Sequence, residues 1–460
     1  MRKLLCLAVL LSSFPFPLDA QPIDWPPYEE LALRQLQAYL QIETTNPPGN
    51  ELAAARFFQE WFTREGIPVE VFEFAPGRAN LIARLRGNGS RRPLILLNHM
   101  DVVSSDPERW RVPPFSGAIL DGYVYGRGAL DMKGEGLLQA VVFVLLHRAK
   151  VPLKRDVLFV ATADEEVAMQ GAQWLIQNHR DLLAQAEYLL TEGGFNLVED
   201  GQVKYIGVDT AEKAPYWLRL RATGKPGHGS RPQRDAASHR LARALARVVD
   251  WETPIKILPG VEKFFRDLAP LQTGARAEQL RNLRAAIEDP AFRSWLTGDD
   301  MYNYLVRNTI SLTVLEGSKQ TNVIPGEAIA HLDVRLLPGE DPETFRAELR
   351  RVLADDTIAI EPVQQVRAAN SSPIDTELFR AIERATARHA PRTVVTTRML
   401  SGYTESALFR PLGITCYGFS PFLLTREENA ATHGDNERIS VENVRRGLRL
   451  LYDVVEPIVR

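Results

Sequence analysis

The chain has little cysteine and no surplus of basic charge. Its 460 residues include two cysteines, and Cys6 lies in an N-terminal apolar stretch, so Cys416 is the one thiol in the remainder. A single thiol forms no internal disulfide, and a cysteine-rich metal site is excluded. The formal net charge of -3 gives none of the basic surplus typical of nucleic-acid binding. Any metal site must therefore use histidine and carboxylates.

Long apolar runs are also missing, and the N-terminal one is typical of a secretory signal. Arg2 and Lys3 precede an apolar run over residues 4–14, and small residues lead to Ala20. This run is shorter than the roughly 20 residues that span a bilayer, and no later run is long enough. We expect a signal peptide cleaved near Ala20 and a secreted or periplasmic mature chain without a membrane span. An uncleaved anchor is the alternative.

The length predicts more than one domain. Single hydrophobic cores stop growing at roughly 250–300 residues, whereas the chain has 460 residues of ordinary globular composition, 45% apolar and 25% charged. The pattern of apolar residues changes near residue 214 and changes back near residue 368. These changes predict four segments: a signal peptide at 1–20, a catalytic domain at 21–212, an inserted lid or dimerisation domain at 213–367, and the second part of the catalytic domain at 368–460.

The pattern of apolar segments predicts the α/β fold class. Near-continuous apolar strands such as "RPLILLNHMD" and "RDVLFVATADEE" alternate with helices, which indicates a mostly parallel sheet covered on both faces. After residue 214, apart from a polar, helix-prone insertion at 254–305, the order becomes strand–helix–strand–strand–helix–strand. That order is typical of a small α+β, ferredoxin-like domain, and we expect it to be inserted into the α/β domain.

Histidine and acidic side chains follow several of these predicted strands. The residues are His99, Asp101, the Asp164–Glu166 run and Glu192, together with Asp131 in a glycine-rich turn and His433 in a C-terminal loop. Ligands gather at the carboxyl ends of strands in open α/β sheets, and this donor set suits Zn²⁺, Mn²⁺ or Co²⁺. Each residue alone has a simpler explanation, since adjacent acids such as Glu165 and Glu166 also favour the start of a helix. Their joint occurrence favours a metal site.

Seven segments occur in an order typical of one enzyme family. They are "HMDVV", "GRGALDMKG", "ADEEV", "TEGG", "GHGS", "TNVIPGEA" with "DVRLLPG", and "HGDNERI". From about residue 30 to its end, the chain resembles the M20 metallopeptidases, a family that includes aminoacylase-1 and the carboxypeptidase S/PM20D1 group. The resemblance implies a hydrolase with two divalent metal ions, which we expect to be zinc, with cobalt or manganese as alternatives.

The resemblance also assigns roles to the residues of these segments. It implies metal ligands at His99, Asp131, Glu166, Glu192 and His433, with Asp131 bridging both metals. Asp101 would orient His99, and Glu165 would be the general base. Successive side chains on extended backbone point in opposite directions, so we do not expect both glutamates to bind one metal. The resemblance assigns metal binding to Glu166, and it leaves Glu165 to move a proton from a metal-bridging water to the leaving amine.

Three further residues are implied for the substrate. His228, in "GKPGHGS", resembles an oxyanion stabiliser, acting within its own chain or on a partner subunit, and a turn histidine without a role is the alternative. Asn322 and Arg335 resemble groups that hold the substrate carboxylate, although Arg335 could equally form a structural ion pair. One segment departs from the family pattern: "SGYTESALF" has Glu405 and Ala407 where many members have Asp and Arg. Substrate preference is therefore not transferred.

The residues together predict an exported hydrolase that cleaves a peptide or amide bond next to a free carboxylate, as carboxypeptidases and dipeptidases do. An N-acyl-amino-acid amidohydrolase is the main alternative. A catalytically silent peptide binder is disfavoured by the complete ligand set with Glu165, and a two-metal phosphoesterase by Asn322 and Arg335. The expected partners are a small peptide or N-acyl amino acid, no nucleic acid, and a second copy of the chain through the lid domain.

Overall fold

A computed structural model describes residues 23–199, 201–364 and 370–460, so the predicted signal segment at 1–20 lies outside the described residues. The helices are α1 (Trp25–Leu40), α2 (Glu51–Arg64), α3 (Lys133–Arg148), α4 (Gln170–Asn178), α5 (Arg180–Leu183), α6 (Ala237–Val249), α7 (Pro259–Leu268), α8 (Gly274–Arg281), α9 (Leu283–Ala286), α10 (Pro290–Gly298), α11 (Asp300–Val306), α12 (Pro342–Leu353), α13 (Glu377–His389), α14 (Ser406–Phe409), α15 (Arg426–Ala430) and α16 (Val441–Val459). Within these three ranges, no helix combines the length and apolar character needed to cross a membrane.

The strands form one large sheet and three smaller ones. They are β1 (Val69–Ala75), β2 (Arg78–Leu85), β3 (Leu94–His99), β4 (Ile119–Leu120), β5 (Tyr123–Tyr125), β6 (Val157–Thr162), β7 (Tyr188–Thr191), β8 (Phe195–Glu199), β9 (Gln202–Glu212), β10 (Ala214–Thr223), β11 (Gly227–His228), β12 (Thr309–Glu316), β13 (Val323–Ile324), β14 (Glu327–Leu336), β15 (Ala359–Pro362), β16 (Val394–Leu400), β17 (Thr415–Gly418) and β18 (Arg438–Ser440).

The large sheet confirms the α/β fold class and is mixed. Its order is β1-β2-β6-β3-β7-β17-β9-β16, with β8 beside β9. The central strands β6, β3, β7 and β17 run parallel, whereas β1, β2 and β6 pair antiparallel. The sheet is less parallel than expected, because β2 joins β6 antiparallel, β1 forms a hairpin with β2, and β9 runs antiparallel to both β8 and β17. Four strands of this sheet, β1, β8, β9 and β16, were not predicted from the sequence.

Burial of the central strands on both faces explains their continuous apolar sequence. Leu94 and Leu96 of β3 pack into a core with α1, α2, α3, α13 and α16. Ile95 and Leu97 of the same strand point to the other face and pack with α4 and α5. Side chains alternate along a strand, so an apolar residue is required at every position. The carboxyl ends of these strands are thereby fixed between two helical layers.

A separate four-stranded sheet occupies the middle of the chain. Its order is β12-β14-β10-β15, and its apolar residues form a core with α6 and α12. The element order β10-α6-β12-β14-α12-β15 is the strand–helix–strand–strand–helix–strand order expected from the sequence. The domain boundaries at 212/213 and 367/368, and the assignment as a lid, stay predictions.

The 254–305 insertion folds into the short helices α7 to α11 and has a core of its own. Phe264, Phe265 and Leu305 pack against Tyr205 of β9 and Met399 of β16. This core connects the insertion to the edge of the large sheet. The buried Lys213 ammonium also donates to the carbonyl oxygens of Tyr304 at 3.2 Å and Arg307 at 2.8 Å.

We expect Phe159→Ala to destabilise the protein by about 3–5 kcal/mol, because it leaves a cavity in the core. Phe159 is fully buried between the sheet and the rings of Phe58, Phe62 and Phe143. The free energy of unfolding from chemical denaturation would measure this loss. Val249→Ala is the control: its side chain is 68% exposed, so a change within about 0.5 kcal/mol is expected. Equal losses in both variants would contradict the assigned core.

Candidate active site

Five acidic and histidine side chains meet beyond the carboxyl ends of the parallel strands. They form two groups, His99 with Asp131 and Glu192, and Asp131 with Glu166 and His433, and the ligand atoms of each group lie within 4.8 Å of one another. His99 ends β3, Glu192 follows β7, and Glu166 lies in the turn after β6. The structure brings together all five residues that the sequence predicts as metal ligands, and Asp131 belongs to both groups.

The short distances in both groups run between histidine nitrogens and carboxylate oxygens. His99 Nε2 lies 3.1 Å from Asp131 Oδ1 and 3.4 Å from Glu192 Oε2. His433 Nε2 lies 3.0 Å from Asp131 Oδ2 and 3.3 Å from Glu166 Oε1. Asp131 thus directs one oxygen at each imidazole. Each group offers one nitrogen and two carboxylates, a donor set that fits a divalent zinc-like ion.

The main chain of Asp101 fixes the tautomer of His99. The His99 Nδ1–H donates to the carbonyl oxygen of Asp101 at 3.1 Å, and a carbonyl oxygen can only accept. When His99 is neutral, its one proton therefore sits on Nδ1, so that Nε2 can turn a lone pair toward Asp131 and Glu192 once its own proton has left. This arrangement is the one that a metal-binding histidine needs.

The Asp101 carboxylate holds the turn that carries the glutamate pair. Its Oδ1 accepts the Glu165 N–H and its Oδ2 the Glu166 N–H, both at 3.1 Å. The expectation that the pair lies on extended backbone is wrong: residues 165–168 form a turn, entered at Asp164 with φ +68°. Both side chains line the same cavity. Hydrogen bonds to the Asp101 carboxylate hold the backbone in this turn. The pattern of apolar residues in the sequence does not indicate such a turn.

A cavity of about 830 Å³, here called the metal cavity, is lined by the carboxylates of Asp131, Glu165, Glu166 and Glu192. Burial raises the pKa of Glu165, and burial together with Asp131 raises the pKa of Glu192 to about 7. Burial also acts to raise the pKa of Asp131, but hydrogen bonds to His433 and His99 outweigh it and lower that pKa. Without a cation, the cavity concentrates negative charge that a divalent ion would neutralise.

Glu437, in the same "HGDNERI" segment as His433, holds the Asp131 turn and was not singled out from the sequence. Its Oε1 accepts the N–H groups of Leu130 at 2.7 Å and Asp131 at 3.2 Å. Its Oε2 binds Arg127 at 2.6 Å and the Gly128 N–H at 3.2 Å. The one signal for this role in the sequence was the presence of Glu437 in the same short segment as the predicted ligand His433.

A second buried network supports Asp101 from the N-terminal side. The Asn46 amide donates to Asp101 Oδ2 at 2.8 Å and to Asp164 Oδ1 at 2.9 Å. Arg78 then joins Asp164 at 2.9 Å to Glu51 at 2.6 Å. These residues lie far apart along the chain, so sequence spacing gave no indication of them.

Glu405, where the chain departs from the family pattern, is buried. Its Oε2 accepts the Thr162 hydroxyl at 2.8 Å, and burial raises its pKa to about 8. The neighbouring Thr404 lines the metal cavity. Glu405 itself is not among the described residues that line the cavity.

Arg335 lines the metal cavity and is already ion-paired. Its Nε and Nη2 lie 2.8 Å and 3.1 Å from the two carboxylate oxygens of Asp333. Asp333 also accepts from the Trp217 indole at 3.1 Å. The structural ion pair that the sequence left open is therefore present, and it stands in the wall of the cavity.

His228 and Asn322 lie together, and neither is among the described residues that line the metal cavity. Strands β11 and β13 pair His228 with Val323, and the Gly229 N–H donates to the Asn322 carbonyl at 2.7 Å. His228 Nδ1 lies 2.8 Å from the Ser230 hydroxyl. Their predicted roles stay predictions.

The sequence and the structure are both similar to those of known proteins. A sequence model of Peptidase family M20/M25/M40 matches residues 95–456. The chain is 31% identical to the N-fatty-acyl-amino acid synthase/hydrolase PM20D1 of Xenopus tropicalis over 76% of this chain and 70% of that protein. It is 27% identical to Aminoacylase-1B of Rattus norvegicus over 90% of this chain and 92% of that protein. The structure resembles the M20 family metallo-carboxypeptidase Sso-CP2 from Sulfolobus solfataricus with a TM-score of 0.67 at 19% identity, covering 93% and 99% of the two chains.

We expect metal binding to release protons. In the metal-free protein, hydrogen bonds to Asp131 and Glu166 raise the pKa of His433 to about 10, and acidic neighbours, led by Glu192, raise that of His99 despite its burial. Both imidazoles are thus protonated near neutral pH, and a metal must displace those protons. Zn²⁺ affinity should therefore rise as pH rises toward the pKa of His433.

Calorimetric Zn²⁺ titration in buffers of different ionisation enthalpy would count these protons. The control is His389→Asn, because His389 pairs with Asp453 at 2.9 Å, outside the two ligand groups. This variant should release as many protons as the wild type. Zinc binding without proton release would contradict the arrangement.

We expect Glu437→Gln to weaken metal binding about 10–100-fold, as changes behind metal ligands typically do. A glutamine has one acceptor oxygen where the carboxylate has two, so it cannot hold the Leu130 and Asp131 amides together with Arg127. Equilibrium metal titration would measure the effect. Glu427→Gln, on a side chain that is 89% exposed, should keep wild-type affinity, and an equal loss in both variants would contradict the assigned role.

Proposed function

Because the chain belongs to peptidase family M20/M25/M40 and is a hydrolase of the peptidase and aminoacylase type, we propose that it cleaves an amide bond next to a free carboxylate with the help of two divalent metal ions. The observation that carries the proposal is the pair of ligand groups that share Asp131, with Glu165 in the same cavity. Of the metals that suit these donors, we propose zinc, with cobalt or manganese as alternatives.

The ligand set supports one site per group, held by His99, Asp131 and Glu192 and by Asp131, Glu166 and His433. When bound, such ions polarise the scissile carbonyl and lower the pKa of a water molecule toward neutrality. Asp131 would hold both ions at once, because each of its oxygens faces a different histidine. The backbone contacts of Asp101 and Glu437 would keep the ligand loops in place.

Glu165 is our candidate for the proton transfer. It takes a proton from the attacking water and delivers it to the nitrogen of the leaving amine, so that the carbon–nitrogen bond breaks with a neutral leaving group. A raised carboxyl pKa suits this exchange near neutral pH, because the group can then both accept and return the proton. Asp101 supports the assignment by fixing the Glu165 amide.

Among amides next to a carboxylate, we propose N-acyl amino acids, with small peptides as the second candidate. The similarity to PM20D1 and to aminoacylase supports the first, and the similarity in fold to a metallo-carboxypeptidase supports the second. The substrate carboxylate would contact Arg335 at the cavity wall, whereas Asn322, which lies with His228 outside the cavity lining, would join it only after domain closure or from a second copy of the chain. His228 would stabilise the oxyanion, and its place outside the cavity lining favours a contribution after domain closure or from a second copy of the chain.

We also propose that the enzyme is exported. The support is the sequence of residues 1–20, with its basic start, short apolar run and small residues before position 21. A secreted or periplasmic location would give the enzyme access to amino-acid conjugates outside the cytoplasm.

The neighbouring glutamates provide a matched pair of test variants. We expect Glu165→Gln to lower kcat about 100-fold or more, the usual contribution of acid–base catalysis, while two metal ions remain bound. Glu166→Gln should instead lower the bound metal toward one ion per chain. Hydrolysis of N-acetyl amino acids and dipeptides, with metal content measured by mass spectrometry, would separate the two roles. Full activity in Glu165→Gln, or in the metal-free enzyme, would overturn the proposal.

A further inference from the structure

One face of the four-stranded sheet changes character where it meets the metal cavity. Alternate residues of β10, from Ala214 to Ala222, pack into the core with α6 and α12, so the residues between them point to the opposite face. On that face, Arg219 and Arg221 form ion pairs with Glu361 of β15, as expected for a sheet face in contact with water. Trp217, on the same face, is instead a large apolar side chain that is 41% exposed.

Trp217 lines the metal cavity together with other apolar side chains. One of them is Val167, which is 57% exposed and lies in the turn that carries the glutamate pair. Phe195, Leu400 and Phe422 add further apolar side chains to the lining. Apolar walls around a few convergent polar groups are typical of a ligand site. The metal cavity therefore offers an apolar surface to a substrate in addition to its carboxylates.

A shared hydrogen-bond acceptor places the Trp217 ring beside Arg335. The indole Nε1–H donates to Asp333 Oδ1 at 3.1 Å, and the Arg335 Nε–H donates to the same oxygen at 2.8 Å. Trp217 and Asp333 are also cross-strand neighbours on β10 and β14. The carboxylate and the side chain of an amino acid leave the same α-carbon. A substrate carboxylate at Arg335 therefore brings the side chain of that substrate residue close to the indole.

From this geometry, and resting on the proposed function, we propose that Trp217 selects substrates in which the residue with the free carboxylate has a large apolar side chain, above all an aromatic one. The substrate side chain packs against the exposed indole, and both surfaces leave water. An aromatic substrate side chain gains further from the contact between the two rings. The indole N–H remains bonded to Asp333, so the face of the ring stays available to the substrate.

The test compares substrates that differ only in this residue: N-acetylphenylalanine with N-acetylalanine, and glycylphenylalanine with glycylalanine. The two pairs cover both candidate substrate classes. We expect wild-type kcat/KM to be at least about ten-fold higher for the phenylalanine member of the pair that is cleaved. Trp217→Ala should lower this ratio at least about five-fold. Trp217→Phe keeps a ring and loses the donor to Asp333, so it should keep the ratio within about two-fold.

Leu315→Ala is the control, since Leu315 lies on β12 of the same sheet, is 65% exposed and is not among the described residues that line the metal cavity. It should give the wild-type ratio. A third comparison, of N-benzoylalanine with N-acetylalanine, tests whether the indole contacts the acyl group instead. We expect Trp217→Ala to leave that ratio unchanged.

A wild-type ratio near one for the phenylalanine and alanine substrates would overturn the role of Trp217 while leaving the proposed hydrolysis intact. Equal losses of kcat/KM for both members of a pair in Trp217→Ala would do the same, because they would show that the residue acts only through Asp333 and Arg335. A loss that follows the acyl group would overturn the role as well. Failure to cleave any of these substrates would instead contradict the proposed function itself.

Discussion

Repulsion between like charges is the constraint on which this site depends. Asp131, Glu165, Glu166 and Glu192 line one cavity, and in the metal-free protein only partial protonation and two imidazoles offset their charge. A carboxyl group resists ionisation when it is buried beside others, as the raised pKa values of Glu165 and Glu192 indicate. Such a cluster is unfavourable unless a cation compensates it, so the fold has to hold these loops in place by other contacts.

Those contacts are made mainly to the backbone. Asp101 and Glu437 are buried carboxylates, and both accept main-chain N–H groups of the turns that carry the clustered acids. Hydrogen bonds to an ionised acceptor are stronger than neutral ones, and they constrain a loop without occupying the side chains that we propose as metal ligands. The ligand geometry is thereby set before any ion arrives, which is the meaning of preorganisation at a metal site.

The sequence predicted the α/β fold class and the five clustered ligands, because apolar strands ending in acids or histidine are local patterns and the ordered motifs carry a family resemblance. It did not predict the roles of Asn46, Arg78 and Glu437 in supporting the site. Their contacts join segments far apart along the chain, and polar residues in loops have no periodicity that would reveal such pairing. The turn at Glu165 and Glu166 was missed for a related reason: the hydrogen bonds that bend it come from Asp101, in the segment after β3. Strands β9 and β16 were overlooked because threonine, charged and small residues interrupt their apolar pattern.

The ion pair between Arg335 and Asp333 affects how sharply the cavity can select for an anion. Asp333 occupies the guanidinium edge formed by Nε and Nη2, and a guanidinium has five N–H donors, so a ligand would approach along the Nη1 side. The cation stays electrically compensated whether or not a ligand is there. If a neutral amide lies beside Arg335 in place of a carboxylate, Arg335 is still paired with Asp333 and its charge is not left uncompensated. The cavity must therefore exclude such a ligand by its shape and by its other contacts. In the proposed substrate complex, Arg335 would therefore orient the carboxylate more than it would select for it.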